Sequence, residues 1–149
     1  MRTAFGVSAF VLLAGFTLQA QDSDAAKKEL AKLEGEWNVE KVEAGGNGLT
    51  PDQLKELKSV TFKGNTFTSI AGAAKVEGTI KIDPARKPKT MDITLKAGAD
   101  KDKVYKAIYS LEGDEMKMCG SELDKDRPKD FDVKDKKNHT LMVFKRAKS

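Results

Sequence analysis

Eight segments of the chain alternate apolar and polar residues with a period of two, and most of the connections between them are only a few residues long. Connections that short join antiparallel neighbours, because a parallel crossover needs about a dozen residues or more. The segments are 36–43, 59–63, 66–70, 75–83, 90–96, 104–111, 115–119 and 140–145. Val76, Gly78, Ile80 and Ile82 share one face of their segment, Met91, Ile93 and Leu95 another, and Tyr105, Ala107, Tyr109 and Leu111 a third. In the first segment Trp37 and Val39 fall on one side and Val42 on the other. Such alternation gives each strand one wet and one dry face. Antiparallel strands in series with one dry face each are satisfied by an up-and-down barrel, which hides every edge. The predicted fold class is therefore all-β, an antiparallel eight-stranded up-and-down barrel, with an open two-sheet sandwich as the alternative.

Two short helices complete the pattern. Ala26, Leu30 and Leu33 form one stripe of a helix over 23–34, which Gly35 terminates. A second helical turn is written after the first strand at Thr50-Pro51-Asp52-Gln53, where Thr50 caps, Pro51 suits the first helical position and Gln53 closes a capping box. Leu54 and Leu57 then face the core. The 120–138 connection is long and charge-rich, which reads as a mobile loop.

Ahead of this domain, Arg2 precedes an uncharged apolar run from Phe5 to Leu18, and Ala20 stands where a signal peptidase requires a small residue. Residues 1–20 are expected to be a signal peptide and 21–149 the barrel domain, exported to a periplasmic or extracellular space with no membrane span after cleavage. Phe16 occupies the position that a lipoprotein box would reserve for its cysteine, so lipid attachment there is excluded.

Composition narrows the chemistry. A single cysteine removes any intramolecular disulfide and any multi-cysteine metal site, and a single histidine removes a histidine-based metal cage. No cofactor or metal is expected. The formal charge of +4 arises from lysines interleaved with acidic residues, as in Lys125-Asp126-Arg127, and not from a basic face with aromatics among it. That pattern describes a solvated surface and excludes nucleic acid as a partner. A monomer is expected.

The ends of the chain carry a resemblance. Leu33-Glu34-Gly35-Glu36-Trp37 enters the first strand and Phe144-Lys145-Arg146 leaves the last. This pair is similar to the Gly-x-Trp and arginine of lipocalin-type barrels. The resemblance implies that Trp37 plugs one end and that Arg146 lies across its ring as a lid. Over about residues 30–148 the chain also resembles the secreted lipocalin-like domain family of unknown function abundant in planctomycete bacteria. The stretches that carry this are Gly78 to Pro84, Lys87 to Leu95, Ile108 to Cys119 and Arg127-Pro128-x-x-Phe131. The family implies the barrel and export, and brings no activity with it. The chain departs from true lipocalins in its short length, its lack of a disulfide and its lack of their Thr-Asp-Tyr loop motif, all of which count against a roomy cup.

Little in the sequence points to catalysis. His139 follows Lys136-Lys137-Asn138 and reads as a solvated turn residue; Cys119 reads as a half-buried structural thiol without a cationic neighbour to activate it. The carboxylates fall in turns and charged loops, away from the apolar setting that raises a carboxyl pKa. The inward face is the better candidate, with Phe62, Phe67, Ile80, Ile93, Tyr109, Met116 and Met118 as barrel lining. Bulky rings and methionines there predict a mostly filled interior, relieved at Gly78, Ala107 and Gly120. The function expected is non-catalytic: binding of a small apolar ligand in the barrel, or of a protein or cell-envelope partner through the loops. The alternatives are a small hydrolase-type enzyme using His139 or Cys119, and an inhibitor-like module contacting its target through loops 84–89 and 120–138.

Overall fold

The computed structural model describes residues 23–148, so the segment expected to direct export lies outside the described residues. Helix α1 (Asp24–Leu33) is followed by strand β1 (Gly35–Ala44), the two-residue β2 (Asn47–Gly48) and helix α2 (Pro51–Glu56). Then come β3 (Leu57–Lys63), β4 (Thr66–Ala71), β5 (Ala74–Asp83), β6 (Lys89–Leu95), β7 (Val104–Glu112), β8 (Glu115–Ser121) and β9 (His139–Arg146). Every pairing between these strands is antiparallel, and β1 pairs with both β3 and β9. That double pairing closes eight strands into a barrel and leaves β2 as a flap on the end of β1. Closure follows from the hairpins, whose two-residue turns suit the strand twist; Gly64 and Gly113 take φ of 57° and 58°, which a side chain resists.

The barrel has two unlike ends. At one, the turns after β3, β5 and β7 gather beneath α1, whose buried Ala26 and Leu33 join the main core. Ser23 caps this helix by accepting a hydrogen bond from the Ala26 amide. At the other end lie α2, the β4–β5 turn and the loops leading into β7 and β9. The capping box of α2 is present with both of its hydrogen bonds. No residue of α2 is buried, and Leu54 and Leu57, expected to face the core, are only half-buried.

Three strand details differ from the simple alternation. A bulge in β1 between Val39 and Lys41 shifts the register, so Val42 pairs with inward-facing Met142 and is buried, not turned outward. Val76 shares the face of Ile80, yet it protrudes and is 38% exposed, because β5 gains its β6 partner only from Gly78 onward. Gly78 frees no room. The ring of Phe67 lies against it, and a Cβ there would sit 2.2 Å from the Thr94 carbonyl oxygen and 2.6 Å from that ring.

The connection expected over 120–138, which its charge suggests is mobile, runs over 122–138 and is instead fastened to the barrel wall. Arg127 donates to the Ala107 carbonyl at 2.7 Å and to the Met91 carbonyl at 3.3 Å, and pairs with Asp92. Val133 is 2% exposed and forms a second, outer cluster with Ile108 and Cys119. Ile108 and Cys119 pair with each other on the outer face of β7 and β8, and this apolar patch is what the loop covers. Among the described residues, no helix is long and apolar enough to cross a membrane.

Candidate functional site

Of the seven residues expected to line the barrel, the structure brings five around one cavity: Phe62, Phe67, Ile80, Ile93 and Met118. The cavity measures about 110 Å³ and lies toward the end opposite α1. Val39, Val60, Met91, Met142 and Phe144 complete its wall, together with Leu57 and Ile70 at the rim, and Ser69 adds the one hydroxyl. Met142 and Phe144 were legible in the same alternation, since Thr140, Met142 and Phe144 share a face of β9. Leu57, expected to face the core, reaches the wall through a register shift between Leu57 and Ser59.

Tyr109 and Met116 lie elsewhere along the barrel axis. Both are buried, at 1% and 0% exposure, but neither borders the cavity. They belong to the filled half of the barrel, packed with Trp37 and Leu33 beneath α1. The interior is therefore filled at the helix end and hollow at the other.

What fills the sealed end is partly polar. The Trp37 indole is fully buried and donates to the Leu33 carbonyl at 2.8 Å, so the last turn of α1 satisfies its N–H. The Arg146 guanidinium lies 4.3 Å from the Trp37 ring centroid, as the resemblance implied. It also donates to the Lys32 carbonyl at 2.7 Å and the Glu34 carbonyl at 2.8 Å, and contacts Asp114 at 3.3 Å. A cation on the free carbonyls at a helix C-terminus complements the helix dipole. One side chain thus clamps the helix to the ring it covers. Arg146→Ala is expected to lower unfolding free energy by about 2 kcal/mol, with Arg146→Lys intermediate because an ammonium lacks the forked geometry. Thermal melts of the three proteins check this; coincident curves remove the clamp.

Beside it, Glu29 is 4% exposed and accepts from Lys89 and, at 3.3 Å, from Lys32, while the Tyr109 hydroxyl approaches at 3.5 Å. Burial pushes the Glu29 carboxyl up, but the hydrogen bonds and charges of Lys89 and Lys32 outweigh it and hold the group below its ordinary value. Burial, with the Glu29 charge behind it, drives the Tyr109 phenol far above its ordinary value and keeps it protonated. Glu29 lies three residues after Ala26 and four before Leu33, at the edge of the apolar stripe, but the Lys89 counter-charge that lets it be buried comes from a distant strand.

The two residues considered for nucleophilic chemistry lie outside the barrel. Cys119 is fully buried, not half-buried, beneath the 122–138 loop, and burial pushes its thiol up to about 11, with Asp130 adding to the shift and Lys136 opposing it. At neutral pH it stays a thiol, the poor nucleophile. His139 is not a solvated turn residue: it begins β9 opposite Ser121, half-buried, and its Nδ1 is enclosed without a hydrogen-bond partner. Among the described residues no hydrogen bond joins the two, and no cluster of histidine, cysteine and carboxylate side chains is placed to hold a metal ion.

The cavity continues outward. A second recess of about 270 Å³ shares Ile93, Met118 and Met142 with the inner one, so these three side chains form a waist between them. Two of the three are methionines, whose unbranched thioethers change rotamer at little cost. Beyond the waist the accessible wall stays mostly apolar, although Tyr105, Ser121, Glu122 and Thr140 border it. Comparison with protein-family models, with curated proteins and with solved structures finds no match for this chain.

Proposed function

We propose that this protein is an exported, non-catalytic carrier that takes the apolar part of a small ligand into the barrel cavity, in the manner of a lipocalin-like domain. The observation that carries the reading is the division of one barrel interior into a sealed, fully packed half and a hollow apolar half. Packed cores leave few voids larger than a water molecule. An apolar cavity of roughly 150 Å³ stays dry and admits guests the size of benzene. At about 110 Å³ the inner chamber fits a short alkyl chain or small ring, with the remainder of the ligand in the outer recess. Kinship with the secreted lipocalin-like family is supported by the Trp37–Arg146 stack at the sealed end. Export is supported by the charge and apolar pattern of residues 1–20.

The test uses the methionines as reporters. With methyl-labelled protein, titration with 1-hexanol is expected to shift the Met91, Met118 and Met142 signals saturably, with Kd on the order of 0.1 mM. Met116, packed beneath α1 away from the cavity, stays still. Absence of any saturable shift overturns the reading.

A further inference from the structure

We infer that α2 is a side gate to the cavity, and that the ligand enters through the barrel wall between β1 and β3 when this helix swings away. The inference rests on the proposed cup and concerns only the route into it. The β1–β3 ladder is the shortest in the barrel wall, running only from Gly35–Phe62 to Asn38–Ser59, while the other edge of β1 stays paired with β9 as far as Ala44. Past Asn38 the two strands part, β1 at its bulge between Val39 and Lys41 and β3 at its register shift between Leu57 and Ser59. Val39 and Leu57 thus flank a seam that no strand closes. Both line the inner cavity, and both also line the open recess beside α2, together with Asn38, Pro51, Leu54 and Lys58.

What covers the seam is lightly held. Helix α2 has six residues, none of them buried, and only Leu54 among them is as much as half-buried. Its two ends are tied: the Leu49 amide donates to the Val42 carbonyl at 2.9 Å, and the Gly72 amide donates to the Glu56 carbonyl at 2.6 Å. Among the described residues no hydrogen bond joins 50–55 to a strand between those ties. A helix this short does not hold by propensity, so it depends on the capping box of Thr50 and Gln53 and on the packing of Leu54. Segments with few buried contacts open locally at a small part of the cost of global unfolding. Helix α1 is the contrast, with Ala26, Glu29 and Leu33 buried and its last turn clamped by Arg146. Movement of α2 about its tied ends bares Val39 and Leu57 and breaks no ladder of the barrel.

The experiment reads the exchange rate of 1-hexanol from the line shapes of the Met91, Met118 and Met142 methyl signals. Thr50→Ala combined with Gln53→Ala deletes the capping box and changes no residue that lines the cavity. This variant is expected to raise the association and dissociation rates together by about fivefold and to leave Kd unchanged. Ser23→Ala, which removes the cap of α1 instead, is expected to keep both rates at their wild-type values. Equal acceleration in both variants would mark a general loosening of the barrel and overturn the gate. A changed Kd with unchanged rates would make α2 part of the binding wall and overturn it as well. If hexanol binds and neither variant alters its rates, the ligand enters by the mouth, so the inference falls and the cup stands. If hexanol does not bind the wild-type protein, the cup falls and the gate with it.

Discussion

Replacing Trp37 by alanine is expected to destabilise the protein by about 3–5 kcal/mol, the range for deleting a buried aromatic side chain. Three losses coincide at that position. The ring leaves a void in the packed half of the barrel, where Leu33, Tyr109 and Met116 are 0–1% exposed and have no slack to close it. The Leu33 carbonyl loses its indole donor. Arg146 loses the face on which it lies, although its bonds to the Lys32 and Glu34 carbonyls persist. Trp37→Phe separates these effects, since it retains most of the volume and gives up the N–H, and about 1–2 kcal/mol is expected. Denaturant midpoints at constant m-value provide the measurement. A Trp37→Ala midpoint at the wild-type position would show that α1 and the indole do not seal the barrel.

Comparable in size, and opposite in its response to pH, is the expected effect of Lys89→Met. Removing one partner of a buried ion pair typically costs about 3–5 kcal/mol. Here it would leave Glu29, whose side chain is 5% exposed, with the Tyr109 hydroxyl and, as its one cation, Lys32, which is 64% exposed and correspondingly well screened. In the native protein the Glu29 pKa is held below its unfolded value, so its contribution is present at neutral pH and lost as the pH falls through the acid range. Without Lys89, burial dominates and the folded pKa moves above the unfolded value. The sign then inverts: the variant is weakest at neutral pH and recovers stability as acid protonates Glu29. Unfolding free energies measured from pH 7 down to pH 4 check this. Parallel curves for the two proteins would mean that Lys89 does not neutralise Glu29. Glu29→Gln added to Lys89→Met is expected to restore part of the neutral-pH loss, because a neutral amide needs no counter-charge.

These two sites also mark how far local patterning reaches. The alternation Met91, Ile93, Leu95 and its counterparts specified strands, short connections specified antiparallel pairing, and the chain's barrel closes on those pairs. Ala26, Leu30 and Leu33 specified the helix face, and two of the three are fully buried. Glu29 stands at the edge of that face, three residues after Ala26, but its charge argues for solvent in any local window. It is buried because Lys89 and Tyr109 arrive from strands 60 and 80 residues away. Likewise, the charge of 120–138 suggested a free loop, but Arg127 finds carbonyls on β6 and β7 and Val133 finds the outer patch.

Which half of the barrel would be hollow followed the same division. Period-two alternation assigns a side chain to the inside but says nothing about its height along the axis, and so Tyr109 and Met116 stood beside Met118 as equal candidates. Height is set by register and by which end α1 covers, and these put Tyr109 and Met116 in the plug and Met118 at the waist. By itself, the sequence determined the strand pattern, the helix faces and the inward or outward sense of most side chains, because each depends on neighbours one to four residues away. Tertiary structure alone decided the bulge that turns Val42 inward, the burial of Glu29 and the split between plug and cup. Each of these is a balance struck between groups that only closure of the barrel brings together.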